Sequence, residues 1–216
     1  MQRKAPARVD ILILGAGWTS TFLIPLLDQE NISYAATSTT GRDGTYKFKF
    51  EFDATPWEEC QALPTATTVL ITFPLKGGHE SSSLYKSYTE SRRPSDSQYQ
   101  FVQLGSTGIF SVPDQDLWIT RHSKYDTSNA RAAAEDELLR LDGCVLNLPG
   151  LWGGTRLPRN WVDRIAPTKE MLRKKTSLHL IHGYDVARAV VTIHRKFHLA
   201  AGQRFVCISP SFHSFH

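Results

Sequence analysis

Apolar and polar positions along the chain follow two rhythms, one of strands and one of helices. Val9 and then Ile11 to Leu14 form an almost unbroken apolar run, the pattern of a strand covered on both faces in a parallel sheet. Gly15-Ala16-Gly17 follows at once. A second apolar run predicts a helix from about Trp18 to Asp28, with Pro25 expected to kink it. Ser33 to Thr37 reads as the second strand. From Tyr46 to Phe52, aromatic residues alternate with Lys47, Lys49 and Glu51, which predicts a strand with one wet face. A short helix from Pro56 to Ala62, a strand from Thr68 to Phe73 and a polar helix from Ser81 to Ser91 come next. Gln100 to Leu104 is the following strand. After a long connection, Thr127 or Ser128 is placed to cap a helix reaching Leu141, with Ala130, Ala134, Leu138 and Leu141 as its buried stripe. Cys144 to Leu148 is again a strand. A basic helical stretch, Arg159 to Lys175, is broken by Pro167. The last helix has Val186, Ala189, Val190 and Ile193 on one face, and Arg204 to Ile208 is a final strand. Strands alternate with helices throughout and no repeat interrupts them, so the expected class is α/β with a doubly wound parallel sheet and helices on both faces.

Composition adds limits. At 216 residues, with 41% hydrophobic and 21% charged residues, the chain suits one α/β domain over 1–216. No apolar run reaches the length of a membrane span, and the basic start MQRKAPARVD lacks the apolar stretch of a secretory signal. Cys60, Cys144 and Cys207 are scattered without metal-ligand spacing, which points to buried thiols in a reducing, cytoplasmic setting and to no metal. The net charge of +4 is mild. Its clusters, Arg92-Arg93 and Arg173-Lys174-Lys175, read as solvated faces, so neither nucleic acid nor membrane is expected as a partner. The oligomeric state leaves no mark in the sequence.

The chemistry gathers at the strand ends. Strand, glycine turn and helix in succession is the context of a dinucleotide site. Gly15 would make the tight turn and Gly17 would let the backbone approach a diphosphate. The helix start at Trp18, Thr19 and Ser20 would offer its free N–H groups. Ser20 stands where a third glycine is usual. The second strand ends in Thr37 and Ser38 with Arg42 shortly after, where an acidic residue would mark NAD. Hydroxyls and a guanidinium suit a 2′-phosphate instead, which favours NADP(H) over NAD(H); the alternative is Arg42 as a solvated turn residue. Asp53 is either an adenine contact or a turn former. Phe73 and Pro74 end a strand beside the glycine turn, where a cofactor would lie.

Four segments together carry a resemblance: Gly15-Ala16-Gly17-Trp18-Thr19-Ser20, Gly105-Ser106-Thr107-Gly108, Leu148-Pro149-Gly150-Leu151-Trp152-Gly153, and Ile181-His182-Gly183-Tyr184-Asp185-Val186-Ala187-Arg188. In them the chain resembles the atypical extended short-chain dehydrogenases/reductases, of the NAD-dependent epimerase/dehydratase-like superfamily. The resemblance implies a Rossmann-like fold with a cofactor core over 9–150 and a small C-terminal substrate segment within 151–208. It implies that Ser106 or Thr107 orients a substrate oxygen. It also implies that Pro149, Gly150 and Leu151 line the nicotinamide pocket.

The chain departs from that family at the chemistry. The Tyr-x-x-x-Lys pair that supplies the family's proton donor is missing. One register sets Thr127 and Arg131 in its places, the next Arg131 and Glu135. A guanidinium cannot shuttle protons near neutral pH. Glu135 is either an ion-pair partner of Arg131, four residues away on the same helix face, or a carboxylate acid/base. Tyr125 and His122, in the connection before the helix, are further proton-donor candidates. Three functions follow: an NADP(H)-dependent oxidoreductase acting on a small carbonyl or hydroxy compound, an epimerase-like enzyme on a sugar or small carbonyl substrate, and an NADP(H) sensor without turnover. All three have a small molecule as partner.

Overall fold

The computed structural model describes residues 8–42, 44–52, 57–92, 99–112, 119–160, 166–174 and 179–207. Strand β1 (Val9–Leu14) leads into helix α1 (Ser20–Gln29), followed by β2 (Tyr34–Ser38) and β3 (Tyr46–Lys47). Then come α2 (Trp57–Gln61), β4 (Ala66–Ile71), α3 (Glu80–Glu90), β5 (Gln100–Ser106), α4 (Ala130–Arg140) and β6 (Cys144–Leu148). The C-terminal part holds β7 (Gly150–Trp152), α5 (Lys169–Arg173), β8 (Leu180–His182), α6 (Gly183–Arg195) and β9 (Arg204–Val206). Seven strands form one sheet in the order β3-β2-β1-β4-β5-β6-β9, with every neighbouring pair parallel. This is the doubly wound Rossmann-like arrangement, with β1 inside the sheet between β2 and β4. β7 and β8 pair separately as a small parallel ribbon, Leu151 opposite Ile181.

The central strands are apolar on both faces because both faces are covered. Ile11 and Ile13 point to a core shared with Leu23 and Leu27 of α1 and with Val186 and Val190 of α6. Leu12 and Leu14 alternate to the opposite core, with Leu84 and Tyr88 of α3 and Leu138 of α4. Each such side chain contributes about 1.5–3 kcal/mol of burial. Cys60 and Cys144 are buried and Cys207 half-buried, all three as free thiols. Burial pushes them up to about 11, 12 and 11, so they stay protonated. No helix among the described residues is long and apolar enough to cross a membrane.

Five local expectations are corrected. The strand over Tyr46 to Phe52 is only Tyr46–Lys47, because β2 ends at Ser38, opposite Lys47. One more bond, Phe48 N–H to Ser38 O at 2.9 Å, closes the ladder. Helix α4 is capped by Asn129, whose side chain accepts from Arg131 N. Ser128 instead turns back on Asp126. The buried stripe of α4 is Ala134 and Leu138 with Ala132, Glu135 and Glu137, while Ala130 is exposed and Leu141 half-buried. Arg92 is no solvated residue: its guanidinium lies 3.4 Å over the Tyr88 ring and donates to the carbonyls of Cys60, Leu63 and Pro64. Within the basic stretch Arg159 to Lys175, the described residues show a single turn at Pro158–Asn160 and the short α5.

Leu27 is fully buried where α1 meets the sheet and α6. Leu27→Ala is expected to cost about 2–5 kcal/mol, seen as a lowered urea midpoint with an unchanged slope.

Candidate cofactor and active site

The glycine turn is clamped from both neighbouring strands. Gly15 has φ +95°, and a Cβ there would lie 2.7 Å from Thr72 Oγ1, so only glycine fits. Its N–H donates to Thr37 Oγ1 at 3.0 Å, and the next N–H, of Ala16, donates to Thr37 O at 2.6 Å. On the other side Thr72 Oγ1 lies 2.6 Å from Gly15 O and 3.0 Å from Leu14 O, one hydroxyl shared between two carbonyls. Gly17 is different: a Cβ there would meet nothing within 4 Å, so the space above the turn is open for a ligand. Thr19 and Ser20 start α1 and are buried, and Ser20 Oγ has no hydrogen-bond partner among the described residues. A buried hydroxyl without a partner is costly, and it suits a site whose ligand supplies oxygens.

Ser38 organises the loop after β2. Its Oγ accepts from Gly41 N at 3.0 Å and Arg42 N at 3.1 Å, and sits 2.8 Å from Thr45 Oγ1. Arg42 is thereby turned toward the glycine turn, where its guanidinium donates to Ala16 O. Phe50 and Phe73 stack with centroids 6.1 Å apart and planes 18° from parallel. They follow β3 and β4 in the chain and form an aromatic wall. Pro74, next to Phe73, is exposed. Asp53 lies outside the described residues.

At the ends of β5 and β6 a buried polar knot holds Ser106. Glu135 Oε1 accepts the Ser106 N–H at 3.2 Å, while Asn147 Nδ2 donates to Ser106 O at 3.1 Å and to Glu135 Oε2 at 2.8 Å. Glu135 fits there because residue 105 is glycine: a Cβ would lie 2.5 Å from Oε1. Its countercharge is Arg204 of β9, at 3.3 Å, which also bonds Asp136 at 2.9 Å. Burial holds the Glu135 carboxyl above the usual carboxylate range, while Asn147, Arg204, the Ser106 N–H and the charge of Arg131 pull the other way.

The remaining candidates are spread out. Ser106 Oγ accepts from Gly108 N at 3.1 Å, leaving its own proton to donate, and Thr107 Oγ1 donates to Leu148 O at 3.4 Å. Tyr125 donates its phenol to Asp136 at 2.8 Å, with the Arg204 guanidinium 4.5 Å over its ring. His122 is exposed and takes a bond from Arg121 Nε at 3.1 Å. Beyond β6, Pro149 is half-buried, Gly150 opens β7 opposite Leu180, and Leu151 packs on the core. Trp18 reaches across the chain: its indole N–H donates to Gly153 O at 3.1 Å, and Arg156 lies 4.6 Å over its ring.

Solved structures share this architecture. UDP-N-acetylglucosamine 4-epimerase from Bacillus cereus superposes with a TM-score of 0.65 at 14% identity, over 95% of this chain and 80% of its own. RMD from Pseudomonas aeruginosa, in complex with NADPH, gives 0.64 at 14% identity, over 95% and 80%. A short-chain dehydrogenase/reductase superfamily protein from Agrobacterium tumefaciens, with bound NAD, gives 0.63 at 10% identity, over 94% and 79%. The chain shares the Rossmann-like fold of these proteins. No family model matches the sequence, and no curated protein does either.

In that fold the glycine turn, Thr37, Ser38, Arg42 and Phe73 gather around the carboxyl ends of β1, β2 and β4. Ser106 and Thr107 stand at the end of β5, two strands from β1 in the sheet. Four contributors lie beyond the candidates that local pattern reveals. Thr72 and Asn147 look like ordinary strand residues. Arg204, a cation within an apolar strand, was a usable sign of a buried carboxylate. Arg156 gave none, because its contact depends on a hairpin 138 positions from Trp18 in the sequence.

Glu135 also sets a pH dependence. Above about pH 4.3 the unfolded chain releases this proton while the fold retains it. The stability this group contributes is therefore full below that pH and is lost as pH rises through the raised folded value. Urea midpoints followed from acidic to neutral pH are expected to fall less steeply for Glu135→Gln than for the wild type.

Proposed function

We propose that this chain binds NADP(H) over its glycine turn and acts as an oxidoreductase on a small carbonyl or hydroxy compound. The observation that carries the cofactor reading is Arg42, oriented by Ser38 onto the carbonyl of Ala16. A guanidinium at the end of the second strand, with no carboxylate beside it in Thr37 and Ser38, suits the 2′-phosphate of NADP(H) and offers nothing to accept from a free ribose hydroxyl. The open space over Gly17 and the unpartnered Ser20 hydroxyl support a diphosphate there. Phe73, stacked on Phe50, supplies an apolar face for the adenine, with Pro74 beside it. Bound NADPH would supply a hydride from its nicotinamide ring.

The chain's own part in the chemistry falls to the end of β5. Glu135 and Asn147 fix both backbone groups of Ser106, and the Ser106 hydroxyl keeps a proton to donate to a substrate oxygen. Thr107, tied to Leu148 O, holds this turn against the Pro149-Gly150-Leu151 segment that would border the nicotinamide. Tyr125 contributes by packing, since its phenol is engaged by Asp136. That engagement also favours a second reading, a sensor that binds NADP(H) without turnover.

Fluorescence titration separates cofactor preference from turnover. NADPH is expected to bind more tightly than NADH, and Arg42→Ala to weaken NADPH about 10- to 100-fold, the weight of charge-assisted hydrogen bonds, with NADH unchanged. Tighter NADH binding would sink the assignment. A carbonyl-substrate screen decides the rest. NADPH oxidation that Ser106→Ala diminishes supports the oxidoreductase, and tight binding with no oxidation supports the sensor.

A further inference from the structure

A guanidinium from the C-terminal part lies beside the glycine turn. Gly153 and Arg156 face each other across a tight hairpin, bonded in both directions at 2.9 and 3.1 Å. The hairpin can form because Gly153 and Gly154 take φ of +115° and +55°. The Gly153 carbonyl accepts the indole N–H of Trp18, so the hairpin is fastened to the residue that follows Gly17. Arg156 then lies with its guanidinium 4.6 Å from the centre of the Trp18 ring. It is exposed, and no carboxylate pairs with it among the described residues. The first turn of α1 holds no acidic side chain to compete for it. A guanidinium stacked on an aromatic face keeps its edge N–H groups available for an anion.

Two arginines thus reach the residues on either side of Gly17. Arg42 comes from the β2 loop to Ala16, and Arg156 comes from the C-terminal hairpin to Trp18. The geometry points to Arg156 as a clamp on the diphosphate of the dinucleotide, using Trp18 as its platform and fastening the C-terminal part to the cofactor. This rests on the reading of the turn as a dinucleotide site. It assigns the two guanidiniums to different phosphates: Arg42 to the one that distinguishes NADP(H), Arg156 to the diphosphate that both cofactors carry.

The experiment titrates wild type, Arg156→Ala, Arg156→Lys and Arg42→Ala with NADPH and with NADH, following cofactor fluorescence and quenching of tryptophan emission. Arg156→Ala is expected to weaken both cofactors by a similar factor, about tenfold for one charge-assisted contact. Arg156→Lys, which keeps the charge and loses the flat stack, should fall between it and wild type. Arg42→Ala should weaken NADPH alone. Unfolding curves without cofactor should coincide for wild type and Arg156→Ala, which separates a lost contact from a disturbed hairpin. Unchanged affinities in Arg156→Ala, against a wild type that binds, would overturn the clamp alone, as would a loss confined to NADPH. A wild type that binds neither cofactor would overturn the dinucleotide reading and the clamp with it.

Discussion

The structure depends on one crowded crossing, where the chain leaves β1 between two threonines. Thr37 from β2 takes the Gly15 N–H, and Thr72 beyond β4 gives its hydroxyl to the carbonyls of Leu14 and Gly15. With β1 held between β2 and β4, these bonds finish the ladder that those two strands began. They also fix the direction in which the chain turns into α1. No side chain can be added at Gly15 without displacing Thr72. The opening above Gly17 and the placing of Trp18, Thr19 and Ser20 follow from that single turn. So does the reach of Arg42, whose acceptor, Ala16 O, belongs to the same turn.

A second constraint governs the other half of the sheet. Glu135 is wholly buried under β5 and β6, where an unpaired carboxylate would be severely unfavourable. Arg204, Asn147 and the Ser106 N–H together satisfy it. Glu135 and Asn147 in turn hold Ser106 by both of its backbone polar atoms. The Ser106 hydroxyl proposed to meet the substrate is therefore supported from beneath by a charged knot.

Much of this was legible in the sequence, and the failures have physical causes. Apolar runs announced β1, β4, β5 and β6 because strands covered on both faces carry little else. The glycine turn, Ser38 and Arg42 were readable because their chemistry is local. The Tyr46 to Phe52 alternation was a true strand rhythm without a partner, since β2 stops at Ser38 and leaves residues beyond Phe48 nothing to pair with. The α4 stripe was misjudged because Glu135 and Glu137 are buried by remote partners: Arg204 and Asn147 for one, the Ser82 N–H for the other. Arg92 seemed a surface charge until the carbonyls around α2 gave it an inward destination. Local pattern reveals which face of a helix is greasy. It does not reveal which distant residue will make a charged face tolerable.

The edge position of β9 has a bearing on how the chain folds during synthesis. Domains are made from the N-terminus onward, so β1 to β6 and α4 leave the ribosome well before the last strand. Asp136 emerges 68 residues ahead of the arginine that bonds it. Until β9 joins β6, Glu135 and Asp136 of α4 lack the guanidinium that pairs with both. The nascent sheet also ends in an unpaired β6 backbone. Addition of one short strand pairs the outer side of β6 and brings one guanidinium to both carboxylates, so the polar knot is complete only once β9 is in place.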